Sequence, residues 1–263
     1  MRLGLIGFGA IGSEVAAAWR RGELGKAQLA AVLVRRPRSN QAVVPITDDV
    51  DQFFRRDLDV VLECAGHDAV RDHGVRCLKA GADLVATSIG ALADDALRGG
   101  LEETARRCGR RLILASAGIG ALDILAAAAV GGLDRVAMTV RKDPSAWYGT
   151  EAEHLCDLAS LRAPFVVYEG PVREGAVRYP QNVNIAAAVA LAGVGLDRTR
   201  LTIVADPTIR THVVEIEADG AFGSFRFTED IEPTAGNPKT GRVVAMAVIK
   251  TIRQLTAPVV IGT

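Results

Sequence analysis

Short apolar runs alternate with helical patterns along the first third of this 263-residue chain. Such alternation is typical of parallel βαβ units. The apolar runs predict strands at Leu3–Ile6, Gln28–Val34, Val43–Ile46, Asp59–Glu63, Asp83–Ala86 and Arg111–Leu114. The 3.6-residue patterns predict helices at Ile11–Arg20, Asp68–Ala80 and Asp94–Cys108. We therefore expect an α/β fold with a doubly wound parallel sheet, in which ligands bind at the carboxyl ends of the strands.

After Ser116 the strands follow one another with fewer helices between them. Alternating apolar positions predict strands at Arg135–Arg141, Phe165–Glu169, Ala176–Tyr179, Leu201–Ala205, His212–Glu217 and Ser224–Phe227. Helices are predicted at Leu122–Val130, Ile185–Ala192 and Arg242–Leu255, and Asp219-Gly220 predicts a turn. This half is expected to be a second α/β domain with a mixed or antiparallel sheet and helices on one face.

Composition narrows the class of protein. The 31 Lys+Arg residues balance the 31 Asp+Glu residues, so the chain has no net field to attract nucleic acid or anionic lipid. The apolar runs are too short for a membrane span, and the N-terminal run is too short for a signal peptide, so a cytoplasmic location is expected. No cysteines or histidines have the spacing of metal ligands. A cytoplasmic enzyme or binding protein for a small molecule is therefore expected, without nucleic-acid, membrane or metal partners.

The sequence Gly7-Phe-Gly9-Ala10-Ile11-Gly12 follows the first predicted strand and opens the first helix. In such a loop the first glycine permits a tight turn, the second lets a pyrophosphate approach the backbone, and the third permits close packing of helix and strand. The amides at the helix start and the helix dipole then hold the anion. Glycines also serve plain turns, but the position at the first βα turn favours a dinucleotide site.

The end of the second strand bears on which dinucleotide is bound. NAD sites usually have an acidic residue there, whereas this chain reads Arg35-Arg36-Pro-Arg38-Ser39. Arg35 or Arg36, with Arg38 and Ser39, is suited to hold a 2′-phosphate. The alternative is a solvated basic turn. NADP(H) is favoured as the cofactor, and NAD(H) stays as the alternative.

Two further loops of small residues follow predicted strands at the same sheet edge. They are Cys64-Ala65-Gly66-His67 and Ser88-Ile89-Gly90-Ala91. Loops of this kind pass over a bound dinucleotide, so Ala65, Gly66 and Ser88 are candidate cofactor contacts. His67 is either a ribose contact or an ordinary surface or helix-capping residue.

The second half carries several longer motifs, at Lys142–Thr150, Gln181–Ala188, Ala192–Asp197, Ala205–Pro207 and Asn237–Thr240. In these motifs, and in order from Gly7 to the C-terminal helix, the chain resembles the NAD(P)-dependent L-aspartate dehydrogenase family. The resemblance implies a Rossmann domain over residues 1–114, rejoined by residues 238–263, and a substrate and dimerisation domain over residues 115–237. It also implies a homodimer that interconverts L-aspartate with iminosuccinate, or with oxaloacetate plus ammonia.

The resemblance assigns two cofactor contacts in the second half. Where the family usually reads Ser-Gly-Ala-Ile, this chain reads Ser116-Ala117-Gly118-Ile119, which places a largely backbone contact at Gly118. The second Asn of the family's Asn-x-Asn element is Asn184. Asparagine at a helix start is also suited to cap the helix, and the two roles are compatible.

One departure from the family pattern affects the chemistry. The family strand usually reads Asn-x-His-Glu-Ile, with a catalytic histidine, and aligning Glu215-Ile216 places Val214 at that position. An isopropyl group cannot exchange a proton. His212 lies two residues earlier, so it faces the same side of the strand about 6–7 Å away. It either enters the active site or is a strand histidine with another partner.

The substrate's carboxylates call for cations or neutral donors. Lys142, Lys239 and Thr240 are the candidates, although lysines are more often solvated. With His212 they complete the predicted catalytic set. Two alternatives to aspartate chemistry stay open because of Val214. One is an NADP-dependent reductase of another imine or keto acid, and the other is a non-catalytic NADP(H)-binding protein.

Overall fold

The computed structural model describes residues 1–36, 44–116, 118–180, 184–234 and 237–262. By their internal contacts the residues divide into two units. The first unit comprises Met1–Ala117 and Ala245–Thr263, and the second comprises Gly118–Val244.

The first unit is built on a parallel sheet of buried apolar strands. Its strands are β1 (Arg2–Ile6), β2 (Gln28–Leu33), β3 (Ile46–Thr47), β4 (Val60–Glu63), β5 (Asp83–Ala86) and β6 (Leu112–Leu114). They lie in the order β3-β2-β1-β4-β5-β6, and every described pair is parallel. This order is that of a doubly wound dinucleotide-binding sheet, so the predicted Rossmann class is confirmed. The predicted start of the third strand, Val43, lies outside the described residues.

Helices pack on this sheet with the end signals that the sequence predicts. They are α1 (Ala10–Arg20), α2 (Val50–Phe54), α3 (His67–Lys79), α4 (Asp95–Cys108) and a 3-10 helix, Ile89–Ala93. The Asp94 side chain caps α4, and Gly109 ends it in the left-handed conformation. The C-terminal helix α9 (Val243–Gln254) adds Val248 and Ile252 to the core of this unit.

The second unit contains a mixed sheet. Its strands are β7 (Leu133–Lys142), β8 (Phe165–Pro171), β9 (Arg200–Ala205), β10 (His212–Gly220) and β11 (Gly223–Ile231). They lie in the order β11-β10-β7-β9-β8, with β7 and β9 parallel and the other pairs antiparallel, as predicted. The remaining elements are α5 (Leu122–Gly131), a 3-10 helix (Pro144–Trp147), α6 (Ala152–Leu155), α7 (Val172–Arg178), α8 (Asn184–Ala192) and the short hairpin β12 (Pro233–Thr234) and β13 (Asn237–Gly241).

The predicted strand Ala176–Tyr179 is wrong, because these residues form the end of helix α7 and its C-cap. The buried positions are Val172, Gly175, Ala176 and Tyr179, which have helical spacing, whereas Val177 is exposed. The four residues of the predicted strand are too few to distinguish the helical period from the alternation of a strand. Gly175 lets the helix approach the sheet, since a Cβ there would lie 2.7 Å from the side chain of Leu201.

The predicted turn at Asp219-Gly220 is displaced by two residues. Both residues still pair with neighbouring strands, and the chain reverses through Ala221-Phe222. Gly223, with φ of +110°, supplies the positive φ at this connection.

None of the described helices is both long and apolar enough to cross a membrane. In the same ranges, no group of three or more His, Cys, Asp or Glu side chains is arranged to hold a metal ion. The four cysteines are free thiols.

Candidate active site

The glycine loop between β1 and α1 leaves the first turn of the helix open. Gly7 has φ of +100°, and a Cβ there would lie 2.8 Å from the Cβ of Ala65. A Cβ on Gly12 would lie 2.5 Å from the carbonyl oxygen of Gly7, so this position requires glycine. A Cβ on Gly9 would meet no atom within 4 Å. The open space in front of the N–H groups that begin α1, at Ala10 and Ile11, fits a phosphate group.

A buried carboxylate holds two of the predicted cofactor loops in place. Glu63 ends β4, and its Oε1 accepts hydrogen bonds from the backbone N–H groups of Ala65 and Gly66, both at 2.8 Å. Ser88 donates its hydroxyl to Oε1 at 2.9 Å and its backbone N–H to Oε2 at 3.0 Å. Sequence reasoning missed Glu63 as a site residue. Its signal is an acid that ends an otherwise apolar strand.

Two of the predicted contacts of the basic turn lie just beyond β2. Arg35 and Arg36 follow Val34, the first residue after β2, and are exposed. Arg38 and Ser39, the other predicted contacts of this turn, lie outside the described residues. No acidic residue stands between β2 and the end of this described stretch.

In the second unit, two predicted catalytic residues meet at one edge of the sheet. Lys142 is the last residue of β7 and His212 is the first residue of β10, and both are buried. The two strands are antiparallel with Val213 opposite Arg141, so the register places His212 beside Lys142 on the same face.

Strand β13 brings the other two predicted catalytic residues to the same edge. The Nζ of Lys142 donates a hydrogen bond to the backbone carbonyl of Lys239 at 3.1 Å. The Nδ1 of His212 lies 3.6 Å from the position that a Cβ on Gly241 would occupy. Thr240 lies between these two contacts along β13. The structure therefore gathers Lys142, His212, Lys239 and Thr240.

The buried amine of Lys142 titrates near neutral pH. Burial, aided by the positive charge of Lys239, lowers the pKa of Lys142 to about 7. Its Nζ lies 5.6 Å from the ring centroid of Trp147, which is fully buried. The indole Nε1 of Trp147 has no hydrogen-bond partner among the described residues. An amine in this setting is suited to take up a proton together with an incoming carboxylate.

Asp206, just after β9, fixes the end of β7. It is fully buried, is ion-paired with Arg141 and accepts hydrogen bonds from the backbone and hydroxyl of Thr208 at 2.9 and 2.6 Å. Burial acts to raise the pKa of Asp206, but the bonds from Thr208 and Arg141 outweigh it and hold the pKa below the usual value. Its backbone N–H donates to the carbonyl of Lys142 at 2.8 Å. Asp206 thus positions Lys142, a role that the sequence does not reveal.

The next row of the sheet contains Val214 and an acid that the sequence analysis missed. Val214 is buried, with Val140 of β7 on one side and Glu229 of β11 on the other. Burial raises the pKa of Glu229 to about 7, although a hydrogen bond from the backbone N–H of Gly120 acts in the opposite direction. The prediction ended this strand at Phe227, so Glu229 was not considered.

The two cofactor contacts that the resemblance assigns to the second half lie near one another. A Cβ on Gly118 would lie 3.2 Å from the side chain of Val244 and 3.9 Å from that of Ile185. Ile185 follows Asn184, the first residue of α8. The backbone of Gly118 and the start of α8 therefore approach closely.

Two family models together match most of the chain. The model described as "Aspartate dehydrogenase, C-terminal" matches residues 123–255, and the model described as "Homoserine dehydrogenase, NAD binding domain" matches residues 7–115. The second match agrees with the dinucleotide-binding geometry of the first unit.

Curated relatives cover between about three quarters and nearly all of the chain. An L-aspartate dehydrogenase of Ruegeria pomeroyi is 42% identical over 262 residues, which cover 98% of this chain and 94% of the relative. One of Ralstonia nicotianae is 45% identical over 74% of this chain and 72% of the relative. In fold, a crystal structure of aspartate dehydrogenase from Thermotoga maritima has a TM-score of 0.80 at 24% identity, covering 100% of this chain and 99% of that one.

Proposed function

The chain belongs to the aspartate dehydrogenase family, and on this premise we propose that it interconverts L-aspartate with iminosuccinate, or with oxaloacetate plus ammonia, using NAD(P). The observation that carries the proposal is the group of Lys142, His212, Lys239 and Thr240 at one sheet edge. Cations and donors held together by buried strand ends suit a small dicarboxylate.

The bound nicotinamide cofactor supplies or accepts the hydride. The chain's own part begins with holding the pyrophosphate at the open N-terminus of α1, where Gly9 leaves space and Ala10 and Ile11 present N–H groups. Glu63 keeps the loops at Ala65, Gly66 and Ser88 in one conformation for the cofactor. Gly118 and Asn184 are further proposed cofactor contacts.

For the substrate, Lys142 and Lys239 bind the carboxylates and Thr240 adds a neutral donor. The amine of Lys142 gains a counter-ion when a carboxylate arrives, so its protonated form becomes favourable in a buried place. His212, beside Lys142, donates a hydrogen bond to the same end of the substrate. Together these groups orient C2 for hydride transfer.

NADP(H) is the proposed cofactor, with the 2′-phosphate held by Arg35, Arg36 and Ser39. The test compares the dissociation constants of NADPH and NADH for the Arg35→Ala/Arg36→Ala variant. NADPH binding is expected to weaken about tenfold or more, while NADH binding stays unchanged. A tenfold loss corresponds to about 1.4 kcal/mol of binding free energy. The exposed Arg55→Ala is the matched control. Equal weakening of both cofactors would contradict the assignment.

The proposal also includes a homodimer and a cytoplasmic location, which follow from the resemblance and from composition. Light scattering on the purified protein tests the first of these. A mass of one chain would contradict the homodimer.

The activity is tested by following NADPH and NADH oxidation with oxaloacetate plus ammonia, and the reverse reaction with L-aspartate. Native turnover in both directions is expected. A Val214→His variant is run beside the native protein, because it restores the residue that the resemblance places there. Turnover in the variant alone would show that the native protein acts on another imine or keto acid. Cofactor binding without turnover of any amino or keto acid would identify a non-catalytic binding protein.

A further inference from the structure

Glu229 is a half-buried acid with one buried carboxyl oxygen, on the face of the sheet that carries the proposed substrate residues. In the register of the sheet, Glu229 lies opposite Val214, and Val214 lies opposite Val140. The neighbouring row contains Lys142 and His212. Residues on the same face of adjacent strands that are offset by two positions lie about 7–8 Å apart, within reach of long side chains. Glu229 therefore lies diagonally beside His212.

The two oxygens of the Glu229 carboxyl group have different surroundings. The carboxyl group accepts a hydrogen bond from the backbone N–H of Gly120. Its Oε1 is buried and has no hydrogen-bond partner within the described ranges. A buried carboxyl oxygen without a partner is costly, so such a group calls for a functional explanation. A substrate N–H is the partner that an acid at this place can take.

We propose that Glu229 is the general acid and base of the proposed aspartate reaction and exchanges the proton of the substrate nitrogen through Oε1. The inference rests on the proposed function and assigns a further catalytic residue to it. Val214, directly opposite, has no group that can do this.

In aspartate oxidation, an N–H bond of the substrate ammonium breaks, and its proton forms an O–H bond on Oε1 of Glu229. The electron pair left on nitrogen forms the C=N bond as the hydride leaves C2 for the oxidised nicotinamide. In reductive amination the same proton returns from Glu229 to nitrogen. Burial favours the protonated acid and the Gly120 N–H favours the carboxylate, so the group is suited to both directions near neutral pH.

The charged groups near Glu229 are divided between the two faces of the second sheet. His212 on β10 and Lys142 on β7 share its face. The next element along the chain from Gly120 is α5, whose Asp123 is exposed. Glu215 on β10 is one residue from Val214, and Arg226 on β11 is three residues from Glu229. Because side chains alternate between the faces of a strand, Glu215 and Arg226 lie on the opposite face, where they form an ion pair at 4.0 Å.

The test measures kcat and kcat/KM for L-aspartate across pH in the native protein and in Glu229→Gln. The matched control is Glu215→Gln, one residue from Val214 on the other face. We expect kcat/KM of Glu229→Gln to fall by about 10²–10⁴-fold, with loss of the acid limb of the pH profile. Glu215→Gln should keep both. In the Glu229→Gln background, Val214→His is expected to restore part of the rate, because position 214 faces position 229.

Native turnover with an unchanged rate and profile in Glu229→Gln would overturn this inference alone. Absence of native turnover with L-aspartate would overturn the proposed function and the inference together. If Glu229→Gln does not fold, as judged by thermal unfolding and NADPH binding, Glu229→Asp decides. The Asp side chain retains the carboxyl group but is shorter by one methylene. A loss of kcat at unchanged KM supports the inference, and native kcat with the native profile contradicts it.

Discussion

Two ionisable groups on one face of the second sheet, the buried Lys142 and the half-buried Glu229, have pKa values displaced towards each other. Burial lowers the pKa of the amine and raises that of the acid, each to about 7. Each group can therefore change its protonation state near neutral pH. Holding the charged form of either group in this place is unfavourable in free energy, and a bound ligand of opposite charge offsets that cost.

Replacing Lys142 with Met tests its role in substrate binding. The variant retains a long apolar side chain beside Trp147 but has no amine. The KM for L-aspartate is expected to rise about tenfold or more, and the dissociation constant of NADPH is expected to stay the same. Steady-state kinetics and cofactor fluorescence measure the two quantities. The exposed Lys26→Met serves as the control. An unchanged KM would remove Lys142 from the proposed site.

Replacing Glu63 with Gln tests whether one carboxylate organises the cofactor loops. An amide NH₂ would face donors that now bond to carboxylate oxygens, at Ala65, Gly66 or Ser88. The expected loss of unfolding free energy is about 1–3 kcal/mol, with weaker NADPH binding. Urea unfolding and a cofactor titration check the two effects. Native stability together with native affinity would contradict the role.

At the scale of elements, Gly9 and Gly12 at the start of α1 have different roles. Gly12→Ala is expected to destabilise the protein without any cofactor, because its Cβ would lie 2.5 Å from the carbonyl oxygen of Gly7. Gly9→Ala meets no atom within 4 Å, so its stability without cofactor should be native. Its NADPH affinity should fall about tenfold or more, because the methyl group occupies the phosphate space. Thermal unfolding with and without NADPH distinguishes the two variants. Native affinity in Gly9→Ala would contradict the phosphate site.

The elements themselves could largely be predicted from the sequence, because burial on one or both faces of a strand leaves a local pattern. The helix end at Gly109 and the strand β4 illustrate this. The prediction failed at Ala176–Tyr179, where four residues were too few to distinguish a period of two from 3.6. The helix α7 becomes visible only when Val172 is included in the pattern.

Site residues could be predicted from the sequence only where they belong to a contiguous motif. Lys142, Lys239 and Thr240 belong to contiguous motifs, and the structure gathers them. Glu229 faces Val214 through a strand register that depends on the turn at Ala221-Phe222, and that turn was misplaced by two residues. A pairing between strands cannot be read from either strand alone.

At the scale of the whole molecule, the displaced pKa values of Lys142 and Glu229 make stability depend on pH in opposite directions. Between about pH 4.5 and 7 the folded state keeps the proton of Glu229 that the unfolded state has lost, so stability falls as pH rises. Between about pH 7 and 10.5 the unfolded state keeps the proton of Lys142 that the folded state has lost, so stability rises with pH.

The expected result is that Glu229→Gln gains stability over the native protein as pH rises from about 4.5 to 7. The gain should stay well below the limit of about 1.4 kcal/mol per pH unit, because Glu229 is only half-buried and solvent screens its charge. Lys142→Met should lose the native rise above pH 7. Urea unfolding at a series of pH values measures both differences, which cancels the titration of all other groups. Curves parallel to the native one for both variants would show that neither group has its pKa displaced, and the proton chemistry assigned to this face of the sheet would lose its physical basis.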